Sequence, residues 1–319
     1  MISFGFVLGL TVVFLIGLVS VIVWNRRRSA EERTIVSAYP QLVRFGRVTL
    51  ALRFLGVCLG FGLIFLVTHY SHNGQQYVIV PAVMGSLVVI CSTVGELAMF
   101  NSARQPGITS LEPRSIGAWL PVGLLVLAGI GLVVFTWLIV GAWVMAGPDG
   151  QDMVLTSSYQ GEELISSASG PFFGWYYAVP VIVATGVFLI LTGIGGYVVA
   201  RRPRNGADPI LAEWDDDLRR RSFRGLAATV VGVVSADVMM VALTSTAAVD
   251  NARQIGVAAE SIGIPPSQVV IDQNLLWYGW PGFDVFLWVI AGASFVGCII
   301  ATAIVLFDET PVRSDKALR

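Results

Sequence analysis

One carboxylate, Asp237, interrupts an apolar run that extends from 225 to 249. It lies about 12 residues into the run, roughly 18 Å along a helix rising ~1.5 Å per residue. A carboxylate near the centre of a membrane helix costs about 2.5–3.5 kcal/mol on the insertion scale, so it must face protein and not lipid. Thr229 and Thr244 lie eight and seven residues away and fall near the same helical face, which gives the run a polar stripe. Two chemistries fit. Asp237 is either a proton- or ion-binding group in a polar interior, or an Asp hydrogen-bonded to a Ser or Thr of a neighbouring helix.

Arg53 and Glu96 form a second constellation, near the ends of two apolar runs joined by a short hairpin. Similar depth on adjacent helices predicts a structural ion pair, with Arg53 snorkelling to the headgroups as the variant of that reading. The alternative is an inner gate. Ser92 and Thr93, one turn from Glu96, are placed to complete its hydrogen bonds.

The third is charged. Asp208 reads as a helix N-cap with Pro209 at the first helical position. Ile210, Leu211, Trp214 and Leu218 share a face, and Asp215–Arg219, Asp216–Arg220 and Asp217–Arg221 are i,i+4 pairs in the favourable order. The expectation is an amphipathic helix over about 208–223 resting on the inner leaflet. Trp214, Leu218, Arg219, Arg220 and Arg221 are then the residues available to dock a cytoplasmic partner.

Other chemistry is excluded by what is missing. His69 and His72 are the only histidines, which excludes most His-ligated cofactor schemes, including a bis-His haem held between helices. The two could start a metal site that an external Asp or Glu would have to complete, since a closed zinc site needs four ligands; the expectation is interfacial histidines without metal. The chain has no GxxxxGK[ST], no HExxH and no GxSxG, and no second deep Asp to complete a dyad. The expectation is a non-enzymatic protein without metal or cofactor.

The elements that must position these residues follow from composition. The 319 residues are 55% hydrophobic and 13% charged, with mean hydropathy +0.75. Soluble domains carry about 25% charge, so the deficit and the long apolar runs predict an all-α polytopic transmembrane bundle. Seven spans are expected, over about 2–24, 48–67, 77–100, 116–146, 173–200, 225–249 and 285–307. The fourth is longer than a bilayer requires and is expected either to begin as an interfacial turn around Trp119-Leu120-Pro121 or to tilt. The pair Gly56-xxx-Gly60 predicts close packing in the second. Cys58, Cys91 and Cys298 all fall inside spans, so no disulfide framework is expected.

Net charge is −1 and says little, because the charges are segregated. Arg26-Arg27-Arg28 follow the first span, and other arginines cluster in alternate loops, whereas the segment 147–172 holds Asp149, Asp152, Glu162 and Glu163 with no cation. The positive-inside rule then puts the N-terminus outside and the C-terminus in the cytoplasm. The segments 147–172 and 250–284 are external, the latter opening with a short surface helix over 250–262. A three-plus-one-plus-three parallel repeat is compatible with this order but has no residue-level match.

The runs Asp208-Pro209-Ile210-Leu211 and Asp217-Leu218-Arg219-Arg220-Arg221-Ser222, with Val94-Gly95-Glu96-Leu97, carry a resemblance. The chain resembles multi-pass integral membrane proteins of high-GC Gram-positive bacteria, some of which occur beside transporter ATPases and GntR-type regulators. The resemblance implies no catalytic residue. Two readings stand: a plasma-membrane component of a transport or envelope-export system, or a membrane scaffold or sensor without a conducted substrate. The expected partners are the lipid bilayer and a cytoplasmic ATPase or another membrane subunit, not nucleic acid.

Overall fold

The computed structural model describes residues 40–70, 75–102, 117, 119–159, 162–169, 172–202, 209–261, 270–271 and 283–307. The expected first span, 2–24, the charged stretch that follows it and the C-terminal tail lie outside the described residues.

Long apolar runs become helices because a helix satisfies its own backbone where no water is at hand. The described residues form α1 (Pro40–Tyr70), α2 (Gln75–Val78), α3 (Val80–Ser102), α4 (Val122–Met145), α5 (Trp175–Arg201), α6 (Pro209–Ser261) and α7 (Phe283–Phe307). Five helical segments are long and apolar enough to cross a membrane: Val80–Ala98, Val122–Met145, Trp175–Arg201, Asp215–Thr246 and Val285–Val305. The apolar part of α1, Ala51–Val67, is shorter. Val133 (70% exposed), Val144, Val183, Ile190, Trp288 and Val289 all point out of the bundle. Such an apolar exterior suits lipid and not water.

α6 is the central helix. It packs against α3, α4, α5 and α7, while α1 packs mainly on α3. Close approaches fix the directions. Gly56 meets the Val88 backbone and Gly60 meets Met84, so α1 and α3 are antiparallel and cross at the glycine pair expected to pack closely. Gly85 of α3 lies against Val233 of α6 and Phe188 of α5; Gly131 of α4 lies against Val234; Gly297 of α7 lies against Ser235. Successive long helices therefore alternate in direction. The C-terminal ends of α3 and α5 and the N-terminal part of α6 gather at one end, the arginine end.

The other end carries strands, where the sequence suggested helices and loops alone. β1 (Met153–Tyr159) and β2 (Glu162–Ser169) form an antiparallel hairpin, and β3 (Val270–Ile271) pairs with Ser157 and Ser158 of β1, giving the order β2-β1-β3. The two segments expected to be external are thus stitched together by backbone hydrogen bonds, and β2 also packs on α6. The entry to α5 is tied down by a tight turn: Gly150, at φ 71°, lies beneath the Trp175 ring where a side chain would collide.

The expected separation between an interfacial helix (208–223) and a span (225–249) is replaced by one continuous helix of 53 residues. The surface helix expected over 250–262 is its last turns. Nothing in the sequence from Leu218 to Leu226 breaks a helix. Gly225 only opens room for Arg53 of α1, whose guanidinium would lie 2.9–3.1 Å from a Cβ there. At ~1.5 Å per residue α6 is about 80 Å long, well beyond a hydrocarbon core of about 30 Å.

Candidate functional site

Two polar sites lie on one face of α6. Asp215, Arg219 and Ser222 follow at spacings of four and three, and the same face continues through Leu226, Val230 and Val233 to Asp237, all buried.

The first site is at the arginine end. Helix α5 ends at Arg201, and Arg202 turns extended (φ −55°, ψ 133°). Its side chain stays inside the bundle, 2% exposed. Nη1 of Arg202 donates to Glu96 Oε2 of α3 at 2.8 Å, and Nη2 donates to Asp215 Oδ1 of α6 at 2.5 Å. Ser222 donates to the other oxygen of Glu96. Arg219 then closes on Asp215, with Nε donating to Oδ2 at 2.9 Å. Its Nη2 donates to the carbonyl of Arg202 at 2.7 Å, which caps the end of α5 with a cation. The Arg219 guanidinium carbon sits 5.0 Å over the ring of Trp119, in the turn before α4. The chain Glu96–Arg202–Asp215–Arg219 alternates in sign and links α3, α5, α6 and the entry to α4.

Burying four charges costs several kcal/mol for each ion unless geometry and hydrogen bonds are close to ideal. Here each carboxylate oxygen has a donor and each guanidinium at least two acceptors, while Nη1 of Arg219 has no hydrogen-bond partner among the described residues. The network therefore fixes how three helix ends meet, more than it adds net stability.

Glu96, which the sequence paired with Arg53, takes Arg202 and Ser222 as partners. Arg53 is itself buried and lies against Gly225. The three i,i+4 pairs expected at 215–221 divide. Asp215–Arg219 forms, at 2.8 Å, but faces the bundle; Arg220 meets Asp217 at 3.5 Å on the exposed side. Arg219, proposed as a docking residue, is completely buried and cannot meet a partner in this state. Of the other docking candidates, Arg220 is exposed and Leu218 and Arg221 are half-buried; the side chain of Trp214 lies outside the described residues.

The second site is Asp237, 2% exposed in mid-helix. Thr185 of α5 donates to its Oδ2 at 2.9 Å, and Oδ1 has no hydrogen-bond partner among the described residues. Thr229 and Thr244, expected to share its stripe, bond instead to carbonyls of their own helix, at Gly225 and at Met240 and Val241. The polar stripe is therefore spent locally, and Asp237 has a single contact across the helix interface.

Sequence reasoning missed Arg202 and Thr185. Arg202 resembles the positive flank of any span. The signal that reveals the network is the buried face of 226–237 continued backward through Ser222, Arg219 and Asp215. Thr185 carries no distinguishing signal among the hydroxyls of α5.

Among the described residues no group of three His, Cys, Asp or Glu could hold a metal ion. No protein-family model, no curated protein and no solved structure matches the chain. Its five long apolar helices fit an α-helical membrane protein.

Proposed function

We propose that the chain is a seven-span plasma-membrane component of a transport or envelope-export system, with its arginine end in the cytoplasm. The N-terminal part of α6 is where a cytoplasmic partner, an ATPase or another subunit, acts on it. The observation that carries this reading is the coupling of that helix. Its inner face is bolted to α3 and α5 through Asp215, Arg219 and Ser222, while on the outer face Arg220 is exposed and Asp217 half-buried. A push on the outer face is thus delivered to three helix ends and on into the bundle along an unbroken helix. No catalytic set is assigned, and the role is not enzymatic.

The test is purification of the tagged chain in mild detergent after cross-linking in its own cells. An ATPase or transporter subunit cross-linked near Arg220 and lost in Arg220→Glu, with folding intact, supports the reading. Recovery of the chain with no such subunit sinks it. A second reading, a scaffold or sensor, draws on the β2-β1-β3 sheet, which joins two segments far apart in sequence into one surface beside α6. It predicts that a change at the sheet, and not at Arg220, alters the cellular phenotype.

A further inference from the structure

We infer that Asp237 is an exchangeable proton-binding site inside the bundle, reached from the end that carries the sheet. This is separate from the partner-docking role and does not depend on it.

The carboxyl group is built into the protein as a half-satisfied site. Thr185, itself buried, holds Oδ2; Oδ1 is buried without a hydrogen-bond partner among the described residues. An unmet buried oxygen costs about 1–3 kcal/mol; Thr49 Oγ1, Arg219 Nη1 and Ser245 Oγ share that state among the described residues, and Asp237 is the one carboxylate of these four, able to take up a proton. A counter-ion does not explain it. The nearest arginine toward the arginine end of α6, Arg224, lies 13 residues away, about 20 Å at ~1.5 Å per residue, and Arg53 of α1 lies against Gly225, 12 residues away. The groups that face Asp237 are the Thr185 hydroxyl from α5 and the Cys298 thiol from α7, which donates to the Gly232 carbonyl at 3.5 Å. No charged side chain among the described residues acts on it from α3, α4, α5 or α7.

The ligand class follows from the donor set. One carboxylate and one hydroxyl fall short of the six or more oxygens that a hard metal cation such as calcium takes. A proton needs only the carboxylate. Uptake forms the O–H bond of the carboxylic acid from a hydronium ion and leaves water; release reverses this, with no other reactant.

The route is asymmetric. Toward the arginine end Phe188, Val233, Val230, Leu226 and Phe223 fill the interior and the charge network closes it. Toward the sheet end Phe173, Val181 and Leu287 are buried as well, but along α6 itself the buried Val241 and Ala242 lead to a polar side chain, Ser245. The Ser245 Oγ is a second buried oxygen without a partner among the described residues. It stands eight residues from Asp237, about 12 Å along α6. Two buried oxygens about 12 Å apart, roughly four water diameters, suit a short relay of hydrogen-bonded water.

Infrared spectroscopy of the full chain in lipid nanodiscs tests this with no knowledge of a cargo. The expected result is a carboxylic-acid C=O band that is lost in Asp237→Asn, shifts in Asp237→Glu and in Thr185→Val, moves on transfer to D2O, and disappears reversibly as bulk pH is raised. Ser245→Leu should slow the D2O shift. A band that ignores pH and D2O would make Asp237 a sealed packing residue. Wild-type and Asp237→Asn spectra that coincide at every pH would show that it never binds a proton. If Asp237→Asn does not yield a monodisperse protein, Asp237→Glu carries the same comparison. Unchanged exchange in a folded Ser245→Leu protein overturns the sheet-end route.

Discussion

Arg202 reaches Glu96 at 2.8 Å with one guanidinium nitrogen and Asp215 with the other, so a single side chain at the end of α5 joins α3 to α6. The contact to Glu96 spans 106 residues of sequence. All three side chains are buried, so removing one leaves an uncompensated charge in a dry setting. We predict that Arg202→Ala lowers stability by about 3–5 kcal/mol, the cost of breaking a buried pair from one side. Arg202→Lys should recover only part of this, because an ammonium cannot bridge two carboxylates as a planar fork does. Glu96→Gln combined with Arg202→Gln should cost less than the two single changes together. Thermal unfolding in mild detergent gives the values, and strict additivity would remove the bridge from the account.

The helix contact between α1 and α3 makes a sharper geometric prediction. A Cβ on Gly56 would lie 2.8 Å from Val88 Cα, and backbone cannot swing aside. Gly62, two residues past Gly60 on the same helix, has open space around it. Gly56→Ala should therefore destabilise by about 1–3 kcal/mol, as overpacking does. Gly62→Ala should be neutral or slightly stabilising, since alanine is the better helix former by about 1 kcal/mol. Unfolding curves for the two variants check this, and equal effects would mean that the helices do not cross at Gly56.

Much of this was legible in the sequence. Long apolar runs gave the helical spans, Gly56-xxx-Gly60 their closest crossing, and Trp119-Leu120-Pro121 the turn before α4, which begins at Val122. The burial of Asp237 was readable from its place inside a long apolar run. What was not legible depended on pairing across the fold. Similar depth on adjacent helices paired Glu96 with Arg53, yet Arg202 is brought to it by the parallel run of α3 and α5. The break expected near Gly225 came from treating a change of polarity as the end of an element. In fact Asp215, Arg219 and Ser222 are buried by the same bundle that buries 226–237. The β-strands were hidden because segment 153–169 is rich in serine and lacks the alternation that marks a half-buried strand.

The orientation is a prediction of the positive-inside rule, and it has a direct check. A reporter active only in the cytoplasm should work when fused after Arg319 and stay silent when inserted between Gly147 and Gly170. Insertion at the β1–β2 turn, between Tyr159 and Glu162, is the gentlest site because the two strands are joined there by a short connection. The opposite pattern of activity would invert the bundle and place the Arg202 network outside.

The contact between Thr185 and Asp237 separates two roles for one hydroxyl. Thr185 supplies the single hydrogen bond that Asp237 receives across the α5–α6 interface, at 2.9 Å. Thr185→Val keeps the shape of the side chain and removes the donor, leaving both carboxylate oxygens without a partner. The expected loss is about 1–3 kcal/mol, the penalty for an unsatisfied buried polar group. Thr185→Ser keeps the donor and removes one methyl, so it should cost no more than about 1 kcal/mol. In Asp237→Leu the carboxylate is gone, and Thr185→Val added to it should cost little or nothing, because the hydroxyl then has no acid to serve. Bonding back to a carbonyl of its own helix is the alternative open to it, as Thr192 does with Phe188. A Thr185→Val penalty that is the same in wild type and in Asp237→Leu would show that the threonine stabilises α5 by packing alone, and that Asp237 is held in place by something other than this bond.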